Sequence, residues 1–284
     1  MLECVPNVSE GRDDAVVDAL AAACGPSLLD VHRDADHHRS VFTLAGPGET
    51  DAAVAVRSLA RAVAQRCSVR EHAGVHPRVG ALDVVPFVAL DHPVDDAVAA
   101  ARDFADWIAG ELGVPAFLYD AADPERRSLP DVRRDAFTRR APDRGPAVAH
   151  PDLGAVAVGA RAPLVAVNCW VDAADPTIVR RVAREVRERD GGLPGLRALG
   201  LALPGAGATQ VSMNVVDLDR CTVEAACDAV RERVEAAGAT VTHVELVGLM
   251  PHAAWARCGR AFLDRVGWGP SVTIEGRLAA RGGA

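Results

Sequence analysis

The sequence predicts an α+β fold made of two units of split βαβ type, each a β-sheet with helices packed on one face. Three observations lead there. Short alternating or apolar runs that read as strands take turns with longer amphipathic segments along the chain. The two halves echo each other: "RSVFTLAGPGETDAAVAVRSLARAV" and "TQVSMNVVDLDRCTVEAACDAVRERV" each give a strand, a short turn, a capped amphipathic helix and then a return strand. No G-x-G-x-x-G follows a strand, and "GAG" at 205–207 lacks the third glycine and leads into a strand, which argues against a doubly wound nucleotide fold.

"LECVPNVSE" reads as a short strand and a turn, with Ser9 placed to cap the helix "RDDAVVDALAAACG", which Gly25 ends. "SLLDVHRD" and "HRSVFTLAG" read as strands. "ETDAAVAVRSLARAVAQRC" is a helix with acids first and arginines late, as the helix dipole favours. "ALDVVPFVAL" is a strand, "VDDAVAAARDFADWIAGELG" a helix closed by Gly113, and "VPAFLYD" a strand. Residues 121–149 are rich in Pro, Asp and Arg and read as a loop with at most one or two helical turns. "GAVAVGARAPLVAVNCWV" is a Gly/Ala-rich stretch and then a strand. "DPTIVRRVAREVRERDG" is a helix with Asp175 as cap and Pro176 in the first turn. "LRALGLAL" and "ATQVSMNVVDL" are strands, "TVEAACDAVRERVEAAG" a helix, "ATVTHVELVGLMP" a strand, and "GWGPSVTIEGRLAARGGA" a tail.

Composition narrows the function. At 284 residues the chain has enough length to bury a sizeable core, and its 49% hydrophobic and 25% charged residues suit a soluble globular protein. Aromatics make up 4%, too few for a platform that stacks single-stranded nucleic acid. A net charge of −8 gives no general attraction to DNA or to an anionic membrane, so no nucleic-acid or membrane partner is expected. The chain has no lysine, which excludes a Schiff-base lysine and a Walker-A lysine. The seven cysteines are scattered without a C-x-x-C, and no leader or membrane-length apolar run is seen; a cytoplasmic protein with free thiols is expected.

The most informative stretch is "REHAGVHPRVGALDVVPF" at 70–87. A zincin motif would need a glutamate after the first histidine and a continuous helix. Here Gly74 weakens a helix and Pro77 pushes His76 into an extended conformation. His76 therefore reads either as a positioned acid–base group at the mouth of a strand or as a solvated turn histidine. "DVHRDADHHRSV" gathers His32, His37 and His38 without a standard ligand spacing, and Arg39 stands at a strand start where a guanidinium can meet a carboxylate. In "DRGPAVAHPDLGAVAVGA" small residues allow close backbone approach, to a ligand or to a neighbouring segment.

Taken together and in order, "ECVPNVSEG", "LLDVHRDADHHRSV", "HAGVHPRVGALDVVPF", "ELGVPAFLY", "RGPAVAHPDLGAVAVGAR", "TQVSMN" and "ELVGLMP" resemble the formiminotransferase family, folate-dependent enzymes of histidine breakdown. The resemblance runs over roughly residues 2–252. It implies two ferredoxin-like subdomains, at 1–161 and 162–265, with a tail at 266–284. It implies a homodimer, tetrahydrofolate as co-substrate, and no metal or redox cofactor. Some members carry a fused cyclodeaminase, for which this chain ends too early. His76 falls on the family's H-P-R-x-G histidine and is the expected catalytic residue. Gly145, Pro146, His150 and Gly154 fall in the segment expected to hold the folate's pterin. Arg39 falls on the family's R-T-V arginine, with Ser40 for threonine, and Arg39 and Arg78 are expected to hold substrate carboxylates. Val75, His38 and Arg144 depart from the usual glutamate, asparagine and aromatic residue. The implied reaction moves a formimino group from N-formimino-L-glutamate to N5 of tetrahydrofolate. Two alternatives stay open: a related folate-dependent formyl or acyl transfer from another donor, and a folate-binding homologue without catalysis.

Overall fold

The computed structural model describes residues 1–46, 51–70, 72–90, 93–173 and 175–282. The chain divides into two compact units, Met1–Ala162 and Pro163–Ala284.

Unit 1 begins with β1 (Leu2–Cys4) and β2 (Asn7–Val8), then α1 (Asp14–Ala23), β3 (Leu28–Asp34), β4 (Arg39–Ala45), α2 (Asp51–Arg66) and β5 (Leu82–Ala89). β1 and β2 both lie between β4 and β5, antiparallel to each, and β3 flanks β4. This is the split βαββαβ arrangement the halves predicted. An extension follows: α3 (Val94–Leu112), β6 (Ala116–Asp120), α4 (Leu129–Asp135) and β7 (Val156–Arg161). β7 inserts in parallel between β5 and β6. The Gly/Ala-rich stretch is thus itself a central strand. Its small residues are needed because Gly159 lies against the buried Tyr119 ring with no space for a Cβ.

Leu20, Phe42, Leu59, Phe87, Phe104 and Ile108 pack α1, α2 and α3 onto one face of this sheet. On a smaller second cluster, Val132 of α4 meets Val84, Phe117 and Tyr119. Ser9 does not cap α1. Glu10 Oε1 takes the backbone N–H groups of Gly11, Arg12 and Asp13 at 2.8, 2.7 and 3.0 Å, which fixes the turn, and Asp13 caps the helix by accepting from Val16 N. The freed Ser9 hydroxyl donates to Gly80 O at 2.8 Å. The start of the helix expected from Glu49 lies outside the described residues.

Unit 2 runs β8 (Val165–Asp172), α5 (Pro176–Val186), β9 (Leu196–Leu203), β10 (Ala208–Val215), α6 (Val223–Ala236) and β11 (Thr240–Val247). Its antiparallel sheet has the order β11-β8-β10-β9, a second split βαβ unit. Val179, Val182, Ala183 and Val186 give α5 a single apolar stripe, and Val223, Ala226, Cys227, Val230 and Val234 do the same for α6. Both stripes bury against Val167, Cys169, Val211 and Met213.

The expected tail is a correction. After α7 (His252–Ala256) and α8 (Arg260–Val266), the chain closes with α9 (Ile274–Gly282). Ile274 N donates to Met250 O at 3.0 Å and Met250 N to Val272 O at 3.1 Å, which ties the segment to the end of β11. Thr273 Oγ1 accepts from Gly276 N at 3.0 Å as a cap, and Ile274 is 1% exposed. This cap and buried anchor hold a segment that was expected as a tail. Ile274→Ala is expected to cost about 2–5 kcal/mol in urea unfolding. An unpacked tail would give no change.

Candidate active site

The site grows from one carboxylate in the middle of an apolar strand. Asp83 of β5 is fully buried. Its Oδ2 accepts from Arg39 Nη1 at 2.6 Å and from Arg133 Nη2 at 2.7 Å, and its Oδ1 accepts from Val79 N at 2.6 Å. Arg39 also donates Nε to Asn7 Oδ1 at 2.9 Å. Burial alone would raise the Asp83 pKa. The Arg39 and Arg133 charges and the Val79 N–H outweigh it and bring the group to about 2. One buried anion thus joins β4, β5, α4 and the loop that carries His76.

That loop is closed by backbone contact. Arg78 sends Nη2 to the carbonyls of Gly74 and His76, both at 3.0 Å, and Nη1 to His72 O at 3.5 Å. Gly74 lies where a Cβ would strike His37 O and His38, and a Cβ on Gly11 would strike Asp34 O and the Arg39 backbone. Three turns, at 9–12, 34–39 and 72–80, are pressed together there by missing side chains. His38 sits at φ 49, in the left-handed region. Its ring stacks on His72 at 4.0 Å, its Nε2 lies 3.2 Å from Glu10 Oε1, and His72 Nε2 donates to His38 O at 2.9 Å. His37 pairs its Nδ1 with Asp34 at 3.1 Å and turns its ring edge to His76, 5.9 Å between centroids.

His76 Nδ1 is 2.8 Å from its neighbour's carbonyl, Pro77 O. A carbonyl only accepts, so Nδ1 carries the proton of the neutral ring and the Nε2 lone pair stays available. Burial pushes the His76 pKa well below the usual histidine value, and the Arg39 and Arg133 charges push it further in the same direction. At neutral pH the ring is uncharged and able to accept a proton.

The segment from Gly145 to Gly154 splits in two. His150 and Gly154 exchange backbone hydrogen bonds at 2.8 Å, and His150 Nδ1 accepts from Asp152 N and Leu153 N at 3.2 and 3.1 Å. This tight loop lies on the His76 loop: Ala81 N donates to Leu153 O at 2.9 Å, and Gly154 crosses Gly80 with no room for a Cβ on either. Gly145, at φ 83, lies beside Ala109 and Pro115, at the other end of the segment, and both it and Pro146 are exposed. The structure therefore brings Arg39, His76, Arg78, His150 and Gly154 to one region of unit 1 and leaves Gly145 and Pro146 at its margin. Among the described residues no group of three or more His, Cys, Asp or Glu is arranged to hold a metal.

Sequence reasoning missed Asp83, Arg133, Glu10 and Asn7. Asp83 had a signal, a lone carboxylate in "ALDVVPF", where buried charges occur only when paired. Arg133, in an arginine-rich loop, had none.

Two family matches cover the chain, the formiminotransferase domain, N-terminal subdomain, over residues 1–161 and the formiminotransferase domain over 166–268. The chain is 37% identical to the glutamate formimidoyltransferase of Streptococcus pyogenes serotype M1 over 89% of its length and 90% of the relative's. It is 32% identical to that of Thermoplasma acidophilum, over 98% and 97%. The formimidoyltransferase-cyclodeaminase of Rattus norvegicus is 32% identical over 93% of this chain, which spans 53% of that longer protein.

Asp83→Asn leaves the buried Arg39 and the half-buried Arg133 without their anion, and a loss of about 3–5 kcal/mol in urea unfolding is expected at pH 7. The same carboxylate has a depressed folded pKa. Its stabilisation is full above the unfolded value of 3.8 and is lost as pH falls through about 2. For His76, the acid limb of kcat/KM is expected below pH 6.5. Arg133→Met removes a positive neighbour, so that limb moves up. A limb that stays in place would show that Arg133 does not bear on the titrating group.

Proposed function

The chain belongs to the formiminotransferase family, and from that premise we propose that it transfers the formimino group of N-formimino-L-glutamate to N5 of tetrahydrofolate, in histidine degradation. The single observation that carries the mechanism is the uncharged His76 ring with a free Nε2, set among buried arginines in a net-negative protein.

N5 of the folate attacks the amidine carbon and the N5–C bond forms. His76 Nε2 takes the N5 proton, giving a tetrahedral intermediate and an imidazolium. His76 then returns the proton to the glutamate nitrogen, the C–N bond breaks, and glutamate leaves as a neutral amine. The depressed pKa favours the second half, because an imidazolium among guanidiniums is a strong acid. The surplus positive charge of Arg39 and Arg133 over Asp83 draws the donor's carboxylates. Arg78 contributes by holding the loop and adding charge beside it. The backbone from Gly145 through His150 to Gly154 borders the folate. Holding the two substrates in register supplies a further share of the rate.

No metal or redox cofactor enters this scheme. The working form is a cytoplasmic homodimer, supported by the resemblance to the family; no described helix is long and apolar enough to cross a membrane. His38 and Val75 fit the same chemistry. The first keeps a left-handed turn that histidine tolerates as asparagine does, and the second anchors its turn through Val75 N to Asp36 O at 3.1 Å, whatever its side chain.

His76→Ala is expected to lower turnover about 10²–10⁴-fold in an assay for 5-formimino-tetrahydrofolate, with folding and folate binding kept. Unchanged turnover would remove His76 from the mechanism.

A further inference from the structure

The 34–39 turn holds each of the residues that lead up to His76. His72 Nε2 donates to His38 O at 2.9 Å. Ala73 O lies 3.2 Å from His38 Nδ1. Gly74 is pressed against His37 O and His38 Cβ. Val75 N donates to Asp36 O at 3.1 Å. The next residue is His76. His38 stands at the centre of this contact, and its own place is set by another one: its Nε2 lies 3.2 Å from Glu10 Oε1.

The partners of the ring fix its protons. Ala73 O is a carbonyl and only accepts. Glu10 Oε1 accepts from the backbone N–H groups of Gly11, Arg12 and Asp13. Burial raises the Glu10 pKa, and these donors together with the His38 charge outweigh it, so the group is lowered and ionised and also only accepts. A neutral imidazole has one N–H and one lone pair, and either tautomer would turn the lone pair to an acceptor. An imidazolium donates to both. The other groups around the pair leave this charge in place. The stacked His72 has its pKa lowered by burial and by the Arg78 charge. Asp34 is paired with His37. Arg12 donates Nε to Ala35 O, and Arg78 is spent on the carbonyls of its own loop. Cys67, just past α2, stays a thiol, its pKa pushed up by burial and by Glu10 to about 12.

We propose that His38 is a positioning residue for His76, an imidazolium that ties Glu10 to Ala73 O and so fixes the segment leading into the catalytic ring. The inference rests on the formimino-transfer reading above, in which His76 moves the proton. A primary amide carries two N–H donors on one nitrogen without any charge. The asparagine from which His38 departs serves both acceptors at any pH; the histidine does so only while protonated. Raising the pH removes one ring proton, turns a lone pair to an acceptor and frees the turn. Activity then falls on the alkaline side, whereas His76 as a proton acceptor gives an acid limb.

The test uses the full chain. Nitrogen NMR of the histidine-labelled protein, with His38 assigned by His38→Asn, is expected to show both His38 ring nitrogens protonated at pH 7. A neutral tautomer there overturns the inference. The kcat/KM for 5-formimino-tetrahydrofolate is then followed against pH for the wild type, His38→Asn and His38→Phe, the last keeping a ring to stack but no donor. The wild type is expected to show an alkaline limb with the midpoint at which the His38 ring titrates, and His38→Asn to lack it. His38→Phe is expected to be lower at every pH, by up to about 10²-fold. An alkaline limb that persists in His38→Asn overturns the inference. If His38→Phe fails to fold, His38→Asn decides. If no 5-formimino-tetrahydrofolate forms, the proposed function fails, and hydrogen exchange of the Val75 amide decides the clamp on its own. On the alkaline side that amide is expected to be better protected in His38→Asn than in the wild type, and equal protection overturns the inference.

Discussion

The contact between Asp83 and its two arginines is the constraint on which unit 1 depends. A single carboxylate on a central strand is enclosed, and its three acceptor contacts come from β4, from α4 and from the backbone just after His76. The three partners come from segments far apart in the chain. β4 belongs to the split βαβ unit, α4 to the extension, and the 72–80 loop to neither. Coulomb attraction inside a poorly polarisable core is strong over these distances, and a broken pair leaves a buried charge with no solvent to receive it. The polar cluster therefore locates the loop more sharply than apolar packing would.

The loop itself is shaped by absences. Gly11, Gly74, Gly80 and Gly154 each lie where a side chain would strike another backbone, so four turns approach to main-chain distance. Arg78 then satisfies three carbonyls of a segment that has no ladder of its own. In His76 the loop holds Nδ1 through Pro77 O and leaves Nε2 outside the contacts that fix the turn. Its chemistry follows from its surroundings: burial first, and then the arginines that secure Asp83, lower its pKa.

Much of the fold was legible in the sequence because it is written in periodicity. The strand–helix alternation and the echo between halves led to two split βαβ units, and capping residues such as Asp175 marked helix starts. What escaped was set by long-range contact. Ser9 has the look of a cap, but Glu10 takes the neighbouring N–H groups and Gly80 takes its hydroxyl. β7 lacks the large residues of an ordinary strand because Tyr119 fills that space from β6. In the site, Arg39 was legible as a strand-start guanidinium able to meet a carboxylate, whereas His76 stayed open between an acid–base group and a solvated turn histidine until the family pattern favoured the first, since a loop histidine has no period. Arg78 was expected to face substrate, and its Nη atoms instead face carbonyls of its own loop. Arg133 is one of six arginines between 126 and 140, and nothing local distinguishes the one that reaches Asp83.

The absence of lysine acquires a physical sense in this setting. A buried lysine can give up its proton and become neutral; a guanidinium holds its charge in nearly any environment. Arg39 is buried and its pKa is lowered by that burial, while Asp83, its counterion, opposes the shift. A lysine in its place would share the desolvation cost by deprotonating, and the field on His76 would then weaken with it. The planar fork matters as well: Arg39 uses Nε for Asn7 and Nη1 for Asp83 in two directions at once. Charge that cannot be switched off acts with burial in one direction on His76, lowering its pKa.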